Sequence, residues 1–254
     1  MNSVQLEKIQ QYISDNIQAF HTRRLEKLSE FKLDKTLKRV NPYLYRAKNL
    51  ELAHDFVKYF TDNYLALQEQ TIFGMFLEEL ALFVGDELCG GKKSGIEGVD
   101  LEFSRDKIHY LVSIKSGTNW GNSSEVKKQR ECFHKAARVI RQSKSVKAVA
   151  AVLGCCYGRE SVADKGDYIK LCGQSFWQFL SSHKSLYLDI IEPLGHQAKQ
   201  RNHAFHKEYT ALLNQSTQKF MNDFCINGKI DWKKLTEFSS ANPTAITQKS
   251  KPHG

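Results

Sequence analysis

Asp100 and Lys115 are the two residues of this chain whose types and spacing best fit a hydrolytic site. Each lies in a short segment with strand character, 98–103 for Asp100 and 108–115 for Lys115. The residues 104–107 that join the segments, Ser-Arg-Asp-Lys, have the length and composition of a hairpin turn. The sequence therefore predicts two antiparallel strands that carry a carboxylate and an ammonium side by side.

Side chains two apart on a strand lie on the same face of the sheet. Ser113 and Lys115 should therefore share one face of the second strand, and Asp100 and Glu102 one face of the first. Pairing of the two strands then allows Asp100 and Lys115 to converge on one substrate group. The alternative interpretation is a solvated hairpin with a cross-strand ion pair, which is common in sheets.

An aspartate and a lysine placed in this way suit the hydrolysis of a phosphodiester. That reaction requires an activated water, neutralisation of the phosphate charge and stabilisation of the leaving oxygen, which carboxylate-bound metal ions can supply. Mg²⁺ prefers oxygen ligands and often uses one or two carboxylates together with phosphate and water. A nearby lysine can orient or deprotonate the water and stabilise developing charge.

The segments 98–103 and 110–124 together resemble the motif region of PD-(D/E)XK restriction endonucleases. The first aspartate of that motif corresponds to Asp100 and its lysine to Lys115. The Lys-Ser-Gly-x-Asn-x-x-Asn continuation (115–122) is similar to a signature of several small restriction enzymes, and 167–177 resembles their C-terminal core segment. The resemblance implies a Mg²⁺ cofactor, with Asp100 and the backbone carbonyl of Ile114 among its ligands.

The sequence departs from the motif at Ser113, which stands where the family has its second acid. Some family members have serine there and supply the acid from the following helix. We prefer Glu78 as the second carboxylate and metal ligand, because Gly74 four residues before it resembles the family pattern. The catalytic set is thus Asp100, Lys115, Glu78, Glu102 and Ser113, and the acids that remain alternatives to Glu78 are Glu79, Glu102, Glu125 and Glu131.

The segment after Lys115 is expected to contact DNA, since the substrate must pass beside the catalytic lysine. Its amides and hydroxyls can donate to phosphates or read base edges, and its tryptophan can stack. The same residues also suit turns, helix caps, packing and a solvated helix face, with Ser123 or Ser124 as an N-cap. The predicted DNA contacts are Asn119, Trp120, Asn122, Ser123, Ser124, Lys127 and Lys128.

Charge and cysteine content narrow the class of protein. The formal net charge of +9 favours a polyanionic partner, because neutralised phosphates release counterions. The six cysteines form no CxxC pair, so zinc-ribbon spacing is absent, and we expect buried, reduced thiols in a cytoplasmic protein. No signal-peptide pattern and no run of eighteen apolar residues is visible, so no membrane partner is expected.

Apolar periodicity predicts helices over 3–35, 50–67, 70–86 and 124–143, with further buried strands over 146–156 and 167–173. Residues 184–238 should be mainly helical. We therefore expect an α/β fold: a restriction-endonuclease-like core with a mixed central sheet flanked by helices, and helical N- and C-terminal additions. The predicted organisation is a single nuclease domain over 1–254, divided into a helical region (1–70), the PD-(D/E)XK core (71–183), a second helical region (184–240) and a flexible tail (241–254).

The hypothesis from the sequence is a Mg²⁺-dependent type II restriction endonuclease that cuts double-stranded DNA at a specific site. Two strands and a palindromic site favour a homodimer. The resemblance implies 5′-phosphate ends and a companion DNA methyltransferase that protects the same site. The alternatives are a repair or structure-specific nuclease of the same fold, and a DNA-binding module without catalytic activity, which Ser113 keeps open.

Overall fold

The computed structural model of this protein describes residues 1–143 and 148–242. The first two residues of the strand predicted over 146–156 lie outside the described residues, as does most of the predicted tail, from residue 243 onwards. Helices, strands and contacts are therefore given for the described residues.

The chain forms two compact units, one of residues 1–20 and 71–198 and the other of residues 21–70 and 199 onwards. Two long helices, α1 and α4, each contribute residues to both units. The elements in chain order are α1 Ser3–Ser29, α2 Leu33–Leu37, α3 Pro42–Ala47, α4 Ala53–Cys89, β1 Lys92–Lys93, β2 Leu101–Arg105, β3 Ile108–Lys115, α5 Ser123–Ser143, β4 Ala148–Cys155, β5 Ile169–Cys172, α6 Gln174–Ser181, α7 Leu186–Asp189, α8 Ile191–Leu194, α9 Ala198–Phe224, β6 Cys225–Ile226, β7 Lys229–Ile230 and α10 Trp232–Ser240.

The first unit contains a five-stranded mixed sheet in the order β1-β2-β3-β4-β5. The pairs β1–β2 and β2–β3 are antiparallel, whereas β3–β4 and β4–β5 are parallel. Strands β3, β4 and β5 therefore end at the same edge of the sheet, where Lys115, Cys155 and Cys172 lie in register. In parallel sheets this edge, at the carboxyl ends of the strands, is where loops can gather functional groups.

Helices cover both faces of this sheet. Alternate residues such as Phe103, Val112 and Ile114 point into a core with α1, α4 and α6, whose largest buried side chain is Trp177. The opposite face, which carries Leu111 and Leu153, packs against the apolar side of α5. An alternating strand pattern with helices on both faces is the architecture expected of an α/β core.

The second unit is built mainly from helices and has its own core. Its buried residues come from α2, α3, the first half of α4, α9 and α10, and aromatic rings fill much of it. Phe56 stacks on Phe220 with ring centroids 4.8 Å apart, and both are fully buried. The single-domain organisation over 1–254 and its subdivisions stay a prediction.

Two details of the expected helices are wrong. The helix predicted over 3–35 ends at residue 29, and a separate α2 follows. The helices predicted over 50–67 and 70–86 are one helix of 37 residues, because no glycine or proline interrupts the polar stretch between them. Residues 184–238 are mainly helical, as expected, and additionally contain a short β6–β7 hairpin.

The signal for that hairpin was in the sequence. Asn227 and Gly228 both have positive φ, 52° and 76°, as a two-residue turn of the mirror-image type requires. An Asn-Gly pair is a strong hairpin signal, which the helical periodicity of the flanking residues masks. The fold class is confirmed: the molecule is mixed α/β, with a mixed sheet flanked by helices and with helical additions.

Candidate active site

Asp100 lies immediately before β2, where the antiparallel pairing with β3 ends. Its N–H donates to the carbonyl of Val112 at 2.8 Å, one residue before the first register pair, Leu101 with Val112. Its Oδ2 accepts hydrogen bonds from the Ile114 N–H at 2.6 Å and from Ser113 Oγ at 3.2 Å. Among the described residues, hydrogen bonds to this carboxylate involve only Oδ2, so the half-buried side chain keeps Oδ1 for a further partner.

Lys115 is the last residue of β3 and lies on the same face as Ser113 and Asp100. Its carbonyl accepts the Cys156 N–H at 2.9 Å, which fixes the strand end to the neighbouring chain segment. Its Nζ lies 5.5 Å from the centre of the Trp120 ring, and the side chain is partly exposed. The predicted geometry is therefore present: Asp100 and Lys115 share one face at one end of the hairpin and are open to solvent.

Helix α4 passes this edge of the sheet and brings Glu78 to it. The half-buried Glu78 carboxylate accepts a backbone hydrogen bond from Ser116. Burial raises the pKa of Glu78, Lys115 opposes that rise, and Asp100 adds to it. Glu78 thus interacts electrostatically with both predicted catalytic residues, and two carboxylates repel each other there.

Gly74 explains how α4 can approach so closely. A Cβ at this position would lie 3.2 Å from both Cβ and Oγ of Ser116, so an added side chain would require Ser116 or the helix to shift by a few tenths of an ångström. The glycine lies one helical turn before Glu78, on the same side of α4. Its small size therefore sets the distance between Glu78 and the end of β3.

The structure separates Glu78 from the other candidate acids on α4 and α5. Glu79 is exposed and its electrostatic neighbour is Tyr12. Glu125 accepts the Asn122 N–H at 2.8 Å, while Asn122 Oδ1 accepts the Ser124 and Glu125 N–H groups, so the two residues form a reciprocal cap at the start of α5. Glu131 lies on the exposed side of α5. The cap of this helix is thus Asn122, not Ser123 or Ser124.

Glu102 shares the face of Asp100, as predicted, but its surroundings differ. Its Oε1 accepts a hydrogen bond of 2.6 Å from Ser94 Oγ, and its Oε2 lies 3.0 Å from His109 Nε2. The Nδ1 of His109 lies 2.9 Å from Ser104 Oγ. Both carboxylate oxygens of Glu102 are therefore held by protein partners, and the structure does not bring them into the group formed by Asp100, Lys115 and Glu78.

Gln129 is part of the site and was missed from the sequence. It lies on the inner side of α5 and is only 7% exposed. Its Nε2 donates to the Gly98 carbonyl at 2.7 Å, and its Oε1 lies 3.3 Å from Ser113 Oγ as an acceptor. In the sequence, Gln129 stands among Lys, Arg and Glu residues and is easily taken for part of a solvated helix face. Its burial is indicated only by helical spacing, which places it in line with the buried Phe133 and Ala136.

The predicted DNA contacts lie beside this group, on the loop after β3 and the start of α5. Asn119, Asn122, Ser123 and Ser124 are exposed, while Trp120 packs partly against the core beneath α5. Lys127 and Lys128 are exposed; Lys128 lies 3.6 Å from Glu97. The segment therefore presents polar and basic groups to solvent next to Lys115.

The loop after Lys115 is held in place by the segment that follows β4. The Tyr157 N–H donates to the Ser116 carbonyl at 3.1 Å. A Cβ on Gly117 would lie 2.5 Å from the Tyr157 ring, and one on Gly158 would lie 2.5 Å from Thr118. These close contacts between residues 116–118 and residues 157–158 hold the start of the loop against the ends of the strands.

A mixed sheet with an aspartate and a lysine at one end of its central hairpin is the core of a PD-(D/E)XK nuclease. The model of the family described as type II restriction endonuclease EcoO109I matches residues 7–202, and this chain belongs to that family. A comparison with curated proteins finds no match. The chain is thus a type II restriction endonuclease by family, which makes it a nuclease that hydrolyses DNA and makes double-stranded DNA its partner.

The donor set of the site suits a hard cation. Within residues 1–143 and 148–242, no group of three or more His, Cys, Asp and Glu residues is arranged to hold a metal ion. Two carboxylates with a carbonyl beside them are instead the sparse oxygen set with which Mg²⁺ retains several waters. The Ile114 carbonyl points to the Asp100 side of β3, as its N–H does, because both groups of a strand residue face the same neighbour.

The described part of the chain contains no helix that is both long and apolar enough to cross a membrane. All six cysteines are free thiols; Cys132, Cys155, Cys156 and Cys172 are buried, and Cys89 and Cys225 are partly exposed. Burial raises the pKa of the Cys155 thiol to about 12, and the neighbouring Cys172 adds to that rise. The Cys155 thiol is therefore protonated at neutral pH and does not resemble a metal ligand or a nucleophile.

Proposed function

We propose that this protein is a Mg²⁺-dependent endonuclease that cuts double-stranded DNA at a specific sequence. The observation that carries the proposal is the meeting of Asp100, Lys115 and Glu78 at one open end of the β2–β3 hairpin. Asp100, Glu78 and the Ile114 carbonyl would hold the cation. When bound, Mg²⁺ would neutralise the scissile phosphate and lower the pKa of a bound water.

The chain's own residues then have distinct tasks. The backbone of Ile114 and the hydroxyl of Ser113 bind one oxygen of Asp100, so the other oxygen can bind the cation. Lys115 would hold the attacking water through its ammonium Nζ, whose charge stabilises the phosphate in the transition state. Ser116 fixes Glu78 through its N–H, so both carboxylates are positioned before the cation arrives.

The loop 116–124 and the start of α5 would guide the DNA to this point. Lys127 and Lys128 are exposed cations that can contact phosphates, and Asn119, Ser123 and Ser124 are exposed donors. The amino-terminal end of α5 also favours phosphate, because the helix dipole is positive there. Trp120 lies beside Lys115 and packs against the apolar side of α5.

Cleavage of both strands at a palindromic site requires two such centres, so we propose that the protein acts as a homodimer. The products would carry 5′-phosphate ends. A DNA methyltransferase that modifies the same sequence would protect the host DNA; its relation to this chain is functional and involves no contact.

The proposal is tested by incubating the purified protein with plasmid and phage DNA, with and without Mg²⁺. Discrete fragments that require Mg²⁺ and disappear in Asp100→Ala support a site-specific endonuclease. A smear, or cleavage only at junctions or flaps, would instead indicate a repair or structure-specific nuclease of the same fold. Salt-dependent DNA binding without cleavage would indicate a binding module and overturn the proposal.

A further inference from the structure

The site has a hydroxyl where an acid is expected, and the structure supplies a second polar group at that place. Ser113 lies between Asp100 and α5, and its Oγ is within hydrogen-bond distance of two acceptors, Asp100 Oδ2 at 3.2 Å and Gln129 Oε1 at 3.3 Å. The hydroxyl has one proton, so the two acceptors compete for it or share it. The state of Gln129 therefore affects how Asp100 is hydrogen-bonded.

Gln129 is held at this position by its other amide atom. The hydrogen bond from Nε2 to the Gly98 carbonyl, 2.7 Å, fixes which amide atom faces Ser113, because only the nitrogen can donate to a carbonyl. Gly98 itself has φ +77° and carries no Cβ; a side chain there would collide with Cys132 of α5 at 2.5 Å. The close approach of α5 to the chain just before Asp100 is what allows the glutamine to span the two strands.

We propose that Gln129 is a positioning residue of the metal site. It occupies, with Ser113, the place of the missing second acid of the hairpin and holds the Ser113 hydroxyl beside Asp100 Oδ2 without adding negative charge. This inference rests on the proposed function, since it concerns how the same site binds Mg²⁺. The residue of α5 that faces the site is thus the neutral Gln129, whereas Glu125 and Glu131 of the same helix are exposed.

A neutral group at this position has a consequence that can be measured. Asp100 and Glu78 already repel each other, and a third carboxylate would raise the cost of the metal-free site while strengthening the attraction for a cation. The affinity of oxygen sites for divalent cations increases with the number of charged ligands. Replacing Gln129 by glutamate and by leucine should therefore move the Mg²⁺ affinity in opposite directions.

The experiment compares Gln129→Glu, Gln129→Leu and Ser113→Ala with the unmodified chain, using Mg²⁺ alone and no DNA. Calorimetric titration and the Mg²⁺-induced change in Tm give the affinity, and Mg²⁺-free DNA binding and the Tm confirm that each variant folds. Gln129→Leu should weaken Mg²⁺ binding by about 10- to 100-fold, as is usual for groups that orient metal ligands. Gln129→Glu should tighten it by roughly tenfold. Ser113→Ala, a small deletion, should weaken it in the same direction as Gln129→Leu.

Glu131→Gln on the exposed side of the same helix is the control and should leave Mg²⁺ binding unchanged. If Gln129→Glu and Gln129→Leu weaken Mg²⁺ binding equally, or both leave it within twofold, Gln129 merely packs α5 against Gly98 and the inference is wrong. The two hypotheses remain separable: retained cleavage in Asp100→Ala would contradict the proposed function, whereas silent Gln129 variants beside an inactive Asp100→Ala would contradict only this inference.

Discussion

Two places along the β2–β3 hairpin each carry a carboxylate on the same face of the sheet. The two carboxylates differ in their hydrogen-bond partners. Two residues from Asp100 in the direction of the turn, Glu102 has both oxygens engaged, by Ser94 and His109, and His109 is only 4% exposed. Asp100 itself is bonded through one oxygen and lies beside the partly exposed Lys115. We call the surroundings of Glu102 the closed end and those of Asp100 the open end.

The comparison shows that the partners of a carboxylate decide its role more than its place on a strand. A buried acid whose lone pairs are all satisfied stabilises the fold and has little capacity for a ligand. An acid that is oriented by backbone and hydroxyl donors but keeps one oxygen accessible can bind a cation. Alternation alone places Glu102 and Asp100 on one face and therefore does not separate these cases.

The largest effect is expected for Lys115→Ala at the open end. Removing the ammonium should lower Mg²⁺-dependent cleavage by about 10³-fold, because a positioned proton donor and acceptor typically contributes 10²- to 10⁴-fold. Rates of plasmid linearisation under single-turnover conditions check this. The variant should keep the unfolding midpoint of the unmodified chain. A loss of less than about tenfold would show that Lys115 is not in the reaction centre.

The closed end should respond in the opposite way to His109→Ala. Its loss leaves one oxygen of the partly buried Glu102 carboxylate without its histidine partner, so the free energy of unfolding should fall by about 2–3 kcal/mol. Denaturant unfolding measures this change. The folded fraction should cleave within about threefold of the unmodified rate. A stable protein that has lost cleavage would mean that the closed end belongs to the active site.

Gly74→Ala tests whether the spacing between α4 and the open end matters. The new methyl group would meet Ser116 at 3.2 Å, so Ser116 or Glu78 must shift by a few tenths of an ångström. We expect cleavage to fall by roughly tenfold, since small displacements of catalytic groups are costly. Stability should stay within about 1 kcal/mol, because alanine favours the helix. Unchanged cleavage would show that Glu78 does not need its present position.

The smallest effect concerns the pH dependence of the metal-free protein. Because the pKa of Glu78 is raised in the folded state, ionising it costs stability, and this cost appears as pH rises through the raised pKa. Glu78→Gln removes the cost, so without Mg²⁺ it should raise the Tm at pH 7 by about 1–2 °C and leave it unchanged near pH 4. Thermal melts at both pH values check the sign. A lower Tm at pH 7 would mean that ionised Glu78 stabilises the fold.

Much of the open end could be predicted from the sequence, because it depends on local patterns. Strand alternation and the hairpin turn suffice to place Asp100, Ser113 and Lys115 together. The choice between Glu78 and Glu79 needed the structure: the two are adjacent on one helix, and only its packing against Ser116 distinguishes them. Gln129 also depends on tertiary packing, since its partners Gly98 and Ser113 lie 31 and 16 residues away in sequence.

The surroundings of Glu102 could not be predicted from the sequence for a similar reason. Glu102 is a plausible metal ligand when only its strand face is known, but Ser94 reaches it from the short β1 edge and His109 from across the hairpin. Neither partner has a motif that marks it. The hydrogen-bond partners of a side chain depend on the assembled fold, whereas the strand face on which it lies can be predicted from residue spacing.

Mg²⁺ titration of two carboxamide variants, Asp100→Asn and Glu102→Gln, tests the difference between the two ends most directly. Each variant removes one charge and keeps the shape of the side chain. If the open end is the metal site, Asp100→Asn should lose measurable Mg²⁺ binding and cleavage, while Glu102→Gln should bind Mg²⁺ as the unmodified chain does, with lower stability. Equal Mg²⁺ binding by Asp100→Asn and the unmodified chain, or its loss in Glu102→Gln alone, would contradict the account.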